Sequence, residues 1–344
     1  MNRPSHWLQY LGLRSIGGLV SSFGSAANLE TAATAGSAYF NWFARHRRRA
    51  TLNIAAAFPE LDDARVRDLA EASVRSLMSM FLLDSLVMTR KITPTGWASH
   101  VRLGDLGDSI ETLLSDRPCL LVTAHLGNFE LLGYTLSMLG LPITALARPL
   151  DNPMLNEWIL RMRTRHGLEI ITKFGATERV VEAVARGGKV AFIADQNAGP
   201  DGIFVPFFDR LASSYKSIAL LAVRERLPIV AGFACRVADD FDYEIRCLDR
   251  LEPEAWEDHP DPIFYVSAWY THAIERMVRS APEQYWWLHR RWRSRPRFER
   301  EGKPMPARLI GKLESLPWMT PDRLARVRRH SEDHSADPAP ATAQ

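Results

Sequence analysis

Cys119-Leu120-Leu121-Val122-Thr123-Ala124-His125-Leu126-Gly127-Asn128-Phe129-Glu130 is the stretch on which the reading of this chain turns. Its opening run is apolar or β-branched at every position and too short for a buried helix, so it reads as a strand covered on both faces. Gly127-Asn128 breaks that strand, and apolar residues at helical spacing follow over 129–139. Similar runs recur downstream at Ile143–Leu146, Glu169–Thr172, Val190–Ile193 and Ile229–Phe233. Between them lie helical stretches at 152–166, 176–187 and 215–226. Buried strands alternating with helices predict an α/β fold with a mostly parallel central sheet flanked by helices. Ligands of such sheets collect at the carboxyl ends of strands, so the residues just after each run are the ones to inspect.

Outside this region the periodicity is helical. Val66, Leu69, Ala70, Val74, Leu77, Met78 and Phe81 recur at threes and fours, which predicts a helix over 62–90 with Asp62 or Asp63 at its start. Helices are also expected at 261–280 and 305–329. Residues 61–330 are therefore read as one α/β domain, and 331–344, polar and rich in Pro and Ala, as a disordered tail. Residues 1–60 are read as an N-terminal helical segment. Its longest charge-free runs, Ser15–Leu29 and Thr31–Ala44, are 15 and 14 residues, short of the roughly 18 needed for a spanning helix. Trp7, Tyr10, Tyr39, Trp42 and Phe43, with the cluster Arg45-His46-Arg47-Arg48-Arg49 behind them, fit a segment lying at a membrane interface. A helical hairpin packed on the domain and a tilted single span are the alternatives.

The formal net charge is +3, but its distribution is polar. Residues 1–60 hold 6 basic and 2 acidic side chains and 286–330 hold 13 and 4, around an acidic middle. Two basic poles suit an anionic surface, either lipid headgroups or nucleic acid. Gln284–Arg293 interleaves aromatics with cations, which serves either partner. With no zinc-finger spacing, RNA-recognition aromatic motif or P-loop in the sequence, the membrane is the expected partner and nucleic acid is not. Cys119, Cys235 and Cys247 are few, odd in number and far apart, so no disulfide framework, metal site or redox cofactor is expected.

His125 and Glu130 are the candidate general-base pair: the carboxylate accepts from one ring nitrogen and leaves the other to take a hydroxyl proton. With 10 His and 40 acidic residues in 344, that spacing arises by chance about once, and His100/Asp105 shows it too. Position separates the two, because only His125 follows a buried strand. The alternative is a capping-region His with a Glu favoured by the helix dipole. Arg148, before Pro149 at a strand end, suits a phosphate clamp or a surface ion pair. Asp195-Gln196 also ends a strand, in a loop rich in turn formers. Phe204-Val205-Pro206-Phe207-Phe208 fits an acyl-chain pocket or, more commonly, core.

Taken in order, His125-Leu126-Gly127-Asn128-Phe129-Glu130, Ala147-Arg148-Pro149-Leu150-Asp151-Asn152-Pro153, Asp195–Gly199 with Gly202–Phe208, and Ala281–Trp292 resemble the late lipid A biosynthesis acyltransferases, the lauroyl/myristoyl branch of the lysophospholipid acyltransferase superfamily. Arg47-Arg48-Arg49, Leu52-Asn53 and Ala57–Glu60 are similar to that family's opening, so the likeness spans about residues 7–300. After Phe208 the chain departs from it, with Ala212–Ser217 where the family is often richer in Thr, Pro and Gly.

The resemblance implies a glycerolipid-acyltransferase-like α/β domain on the cytoplasmic face of the bacterial inner membrane. It implies transfer of a fatty acyl chain from acyl carrier protein, or from acyl-CoA, to a hydroxyl of a lipid A precursor. His125 would act as base and Glu130 as its carboxylate. Donors near Gly127 and Asn128 would meet the oxyanion, Arg148 would hold phosphate or acceptor, and Asp195, Gln196, Arg290 and Arg291 would bind substrate. Other readings are an acyl-CoA-dependent transferase for phosphatidylinositol mannosides or another glycolipid and, more remotely, a membrane-associated nucleic-acid-binding or scaffold protein.

Overall fold

The computed structural model describes residues 3–20, 22–172 and 176–332. Nine strands occur among them: β1 (Val101–Leu103), β2 (Cys119–Thr123), β3 (Ile143–Leu146), β4 (Glu169–Ile171), β5 (Lys189–Ile193), β6 (Ile203–Phe207), β7 (Arg210–Ser214), β8 (Ile229–Arg236) and β9 (Tyr243–Leu251). Seven form one sheet in the order β1-β9-β8-β2-β5-β3-β4, parallel throughout except for the β8–β9 hairpin. The remaining two, β6 and β7, pair as a separate hairpin. The expected α/β architecture is the one observed. Each run read as a buried strand is a strand of the main sheet, while β1, β6, β7 and β9 are additions.

Helices cover the sheet. One face packs Leu120, Val122 and Val190 against the long helix Pro262–Ser280 and its neighbours, in a core that also takes up the buried face of the β6–β7 hairpin. Phe207 and Phe208 are therefore core rather than pocket wall. The helix expected over 62–90 is Asp63–Ser79 and Ser85–Lys91 joined by a π-helical turn, Met80–Asp84, and Asp62 caps it by accepting from the Arg65 N–H at 2.8 Å. The helix expected over 305–329 is two, Ala307–Glu314 and Pro321–Glu332, because Pro317 and Pro321 cannot donate to the preceding turn. Ser331, expected in the tail, is buried at the end of the second; the tail from 333 on lies outside the described residues.

The N-terminal segment forms helices Pro4–Val20, Ser25–Trp42 and Ala44–Ala57. The second and third bury Phe40, Ala50, Ile54 and Ala57 in the main core, so the chain is continuous with the domain well before residue 60. The first buries no residue and leaves Trp7, Leu8, Leu11 and Leu19 at least half exposed. Among the described residues no single helix is long and apolar enough to cross a membrane.

Candidate active site

The β2–β5 register creates the site. Thr123 lies opposite Ile193, and the ladder continues as Ala194 N–H donates to the Thr123 carbonyl at 2.9 Å. Two residues further on each strand stand His125 and Asp195, with His125 Nδ1 at 2.8 Å from Asp195 Oδ1. Asp195 is 1% exposed. Burial alone would push its carboxyl up, but the His125 ring, by charge and hydrogen bonding, outweighs this and holds it below the usual carboxylate range. An ionised Asp195 keeps a proton on Nδ1, so in the neutral ring the lone pair is on Nε2. The Gln196 amide stands 3.4 Å from Nε2.

This corrects the expected pairing of His125 with Glu130. In the opening turn of helix Phe129–Met138, the Glu130 carboxylate is taken by Arg163, whose Nε donates at 2.8 Å and whose Nη2 donates to the other oxygen. A guanidinium fork satisfies both carboxylate oxygens, whereas the imidazole offers one donor and has Asp195 facing it. Asp195, read from sequence as substrate-binding or turn-forming, is the histidine's partner.

Gly127 and Asn128 are also not the oxyanion donors expected. The Gly127 N–H is bonded to the Gln284 carbonyl at 3.0 Å and that of Asn128 to Ala234 at 2.9 Å, while Trp286 N–H returns to the His125 carbonyl at 3.0 Å. The loop is thus stitched between β8 and the 284–286 segment. Gly127 has φ +56°, and a Cβ there would lie 2.0 Å from the Ala234 oxygen, so only glycine fits. The Asn128 side chain caps the helix, accepting from Leu131 N–H at 2.9 Å. Trp286 and Phe129 flank the imidazole edge-on, with centroids 5.0 and 5.1 Å away.

Arg291, expected to bind substrate, is buried beneath the site. It donates to the Gln196 and Ser213 carbonyls and to Ser214 Oγ, and its guanidinium lies 5.2 Å from the Phe207 ring centroid. A buried guanidinium must find acceptors for its donors, and here they fix the loop after β5. Arg290 is half-buried at the surface instead. His289 accepts from the Asn197 N–H at 2.9 Å, and burial pushes its pKa down to about 4.

In front of the dyad opens a cavity of about 990 Å³, between the sheet face carrying Leu121, Ala191 and Val230 and helix Phe129–Met138 with Leu132 and Leu136. Apolar along the strands, it meets His125, Glu130, Arg148, Arg163 and Gln196 at their carboxyl ends. Arg148 is exposed there, as its place after β3 predicts. Among the described residues no His, Cys, Asp and Glu cluster suits a metal ion.

A family model described as bacterial lipid A biosynthesis acyltransferase matches residues 1–294. The chain belongs to this family. The Escherichia coli K12 lipid A biosynthesis lauroyltransferase is 25% identical over 307 residues, 88% of this chain and 95% of that one. The lipid A biosynthesis palmitoleoyltransferase of the same organism is 30% identical over 234 residues, 67% and 70% of the two chains. The crystal structure of the 1-acyl-sn-glycerophosphate acyltransferase PlsC from Thermotoga maritima superposes with a TM-score of 0.36 and 12% identity, covering 75% of this chain and 99% of that one. As a family member the chain is an acyltransferase of lipid A biosynthesis.

Proposed function

We propose that this lipid A acyltransferase moves a fatty acyl group from an acyl carrier protein thioester to a hydroxyl of a lipid A precursor, at the cytoplasmic face of the inner membrane. The observation that carries the chemistry is His125, held through Nδ1 by a buried Asp195 and lining an apolar cavity. The acyl chain lies along the sheet with its carbonyl at His125. The acceptor oxygen attacks that carbon while Nε2 takes the hydroxyl proton. The tetrahedral oxyanion then collapses, the C–S bond breaks, and the leaving thiolate takes the proton from the imidazolium. Asp195 stays ionised throughout, holding the tautomer and stabilising the imidazolium. Glu130 enters as the anchor of Arg163 at the cavity mouth, and Gln196 as the side chain beside the reacting atoms. The carbonyl oxygen is left to donors other than the Gly127 and Asn128 N–H groups.

The exposed apolar side chains of helix Pro4–Val20, with Trp42 and Phe43, support seating on a bilayer. The first test uses purified His125→Ala and Asp195→Asn, each shown folded by circular dichroism. Each is assayed with acyl carrier protein and CoA thioesters and a lipid A precursor, with products weighed by mass spectrometry. We expect losses of about 10²–10⁴-fold in both variants. Undiminished transfer by His125→Ala would remove the assignment, and preference for the CoA thioester would move the donor to CoA.

A further inference from the structure

Two basic clusters far apart in sequence converge beside the active site. Helix Ala44–Ala57 is pinned along the 287–290 segment: Asn53 Nδ2 donates to the Trp287 and His289 carbonyls at 2.7 and 2.9 Å, and Arg49 Nη1 to Leu288 at 3.2 Å. This brings Arg49 next to Arg290, with Arg45 one turn before it on the helix. Burial, and then the charges of Arg290 and Arg45, lower the Arg49 pKa. Neighbouring arginines are used up inside the protein, Arg47 on the Phe40 and Asn41 carbonyls and Arg291 and Arg295 on buried acceptors. In contrast, among the described residues, Arg45, Arg49 and Arg290 make no ion pair with a carboxylate. Like charges gathered without a counter-charge repel, and a phosphate relieves that by accepting from several guanidinium forks at once.

The location narrows what would bring the phosphate. The same segment places Trp286 against His125 and His289 against Asn197, two residues past Asp195. In the chain, Trp42 and Phe43, 82% and 49% exposed, directly precede the helix that carries Arg45 and Arg49. A ligand here is anionic at the cluster and apolar beyond it, and it lies against the segment that carries Trp286 onto His125.

We infer that Arg45, Arg49 and Arg290 form a binding site for a phosphate carried on a lipid, which orients the acceptor for attack at His125. This rests on the proposed transfer to a lipid A precursor. The phosphate comes either from that acceptor or from a phospholipid headgroup. The test compares the unaltered protein with Arg45→Gln, Arg49→Gln and Arg290→Gln. Arg45 is exposed and makes no hydrogen bond that folding depends on, so its variant keeps the test intact if the others fold poorly.

Transfer is measured to a phosphorylated and to an enzymatically dephosphorylated acceptor in neutral detergent micelles. Sedimentation is measured with phosphatidylcholine vesicles with and without phosphatidylglycerol. The ratio of kcat/KM between the two acceptors is expected to fall about tenfold for each guanidinium removed. An unchanged acceptor ratio with lost phosphatidylglycerol-dependent sedimentation assigns the phosphate to the bilayer. If neither readout responds in any variant, or the unaltered protein ignores phosphate in both assays, the site does not exist. Failure to transfer to either acceptor would instead sink the reading it rests on.

Discussion

At the scale of single residues, the site is two acid–base pairs set side by side. His125 is bound to Asp195 and Glu130 to Arg163, and each pair shares its hydrogen bonds internally. Residues acting as a unit show non-additive losses, with coupling of about 0.5–3 kcal/mol for groups in contact. A double-mutant cycle on kcat/KM is therefore expected to show strong coupling between Glu130→Ala and Arg163→Ala, and weak coupling between Glu130→Ala and Asp195→Asn. Strong coupling in the second cycle would restore a direct Glu130–His125 partnership.

His289 contributes to the pH dependence of stability. Burial, outweighing the nearby Asp195 and aided by Arg291, His125 and Arg49, lowers its pKa from 6.5 to about 4. As pH falls below about 6.5 the unfolded chain takes up a proton that the folded chain refuses, so stability drops between about 6.5 and 4. His289→Gln keeps an acceptor for the Asn197 N–H but does not titrate. Its denaturant midpoint is expected to fall less than that of the unaltered protein between pH 7 and 4.5.

At the scale of elements, what could be read in advance were the strands with both faces buried. Cys119–Thr123 and Ile143–Leu146 carry no polar residue that breaks the run, and their limits are the observed ones. β9 lacks that signal, because its half-buried pattern, Tyr-Glu-Ile-Arg-Cys, alternates instead of running apolar. The β6–β7 hairpin was hidden by its turn. Phe208 and Asp209 both have positive φ, a backbone usually announced by Asn-Gly, and Glu275 and Arg323 supply the bonds that hold it. The Asp195 partnership was illegible for a related reason: it follows from strand register, which no local pattern states, whereas Glu130 stood five residues from His125.

The π-helical turn Met80–Asp84 also escaped periodicity, and it delivers a buried carboxylate. Asp84 accepts from Arg236 at 2.7 and 2.6 Å and from the Tyr243 hydroxyl. Arg236 in turn exchanges backbone bonds with the Gln284 side chain at 2.9 and 3.0 Å, behind the loop that carries His125. Removing one partner of a buried ion pair strands the other, at a cost of about 3–5 kcal/mol. Asp84→Ala is expected to lose that much in chemical denaturation; a loss below about 1 kcal/mol would show the pair to be dispensable.

At the scale of the whole molecule, exposed apolar side chains concentrate in the N-terminal helices. Trp7, Leu8, Leu11, Leu19, Phe23, Trp42 and Phe43 are all exposed on or beside the first two helices, more apolar surface than isolated residues account for. With the arginines of helix Ala44–Ala57 next to them, they suit a face that lies on lipid. Replacing Trp42 and Phe43 by Ser is expected to lower partitioning onto anionic vesicles about tenfold or more, since burying an aromatic side chain is worth roughly 1.5–3 kcal/mol. Equal partitioning in a sedimentation assay would move the contact elsewhere.

The spacing between His125 and Asp195 equals the spacing between paired residues of β2 and β5, 70 positions in each case. The two side chains meet only once two strands separated by three α-helices and two further strands have found their alignment. Such distant pairing is slow to form and depends on everything threaded between. During refolding, acyl transfer is then due to return after helical signal has recovered, and a one-residue slip of β5 would part the two residues and turn the strand's side chains to the opposite faces.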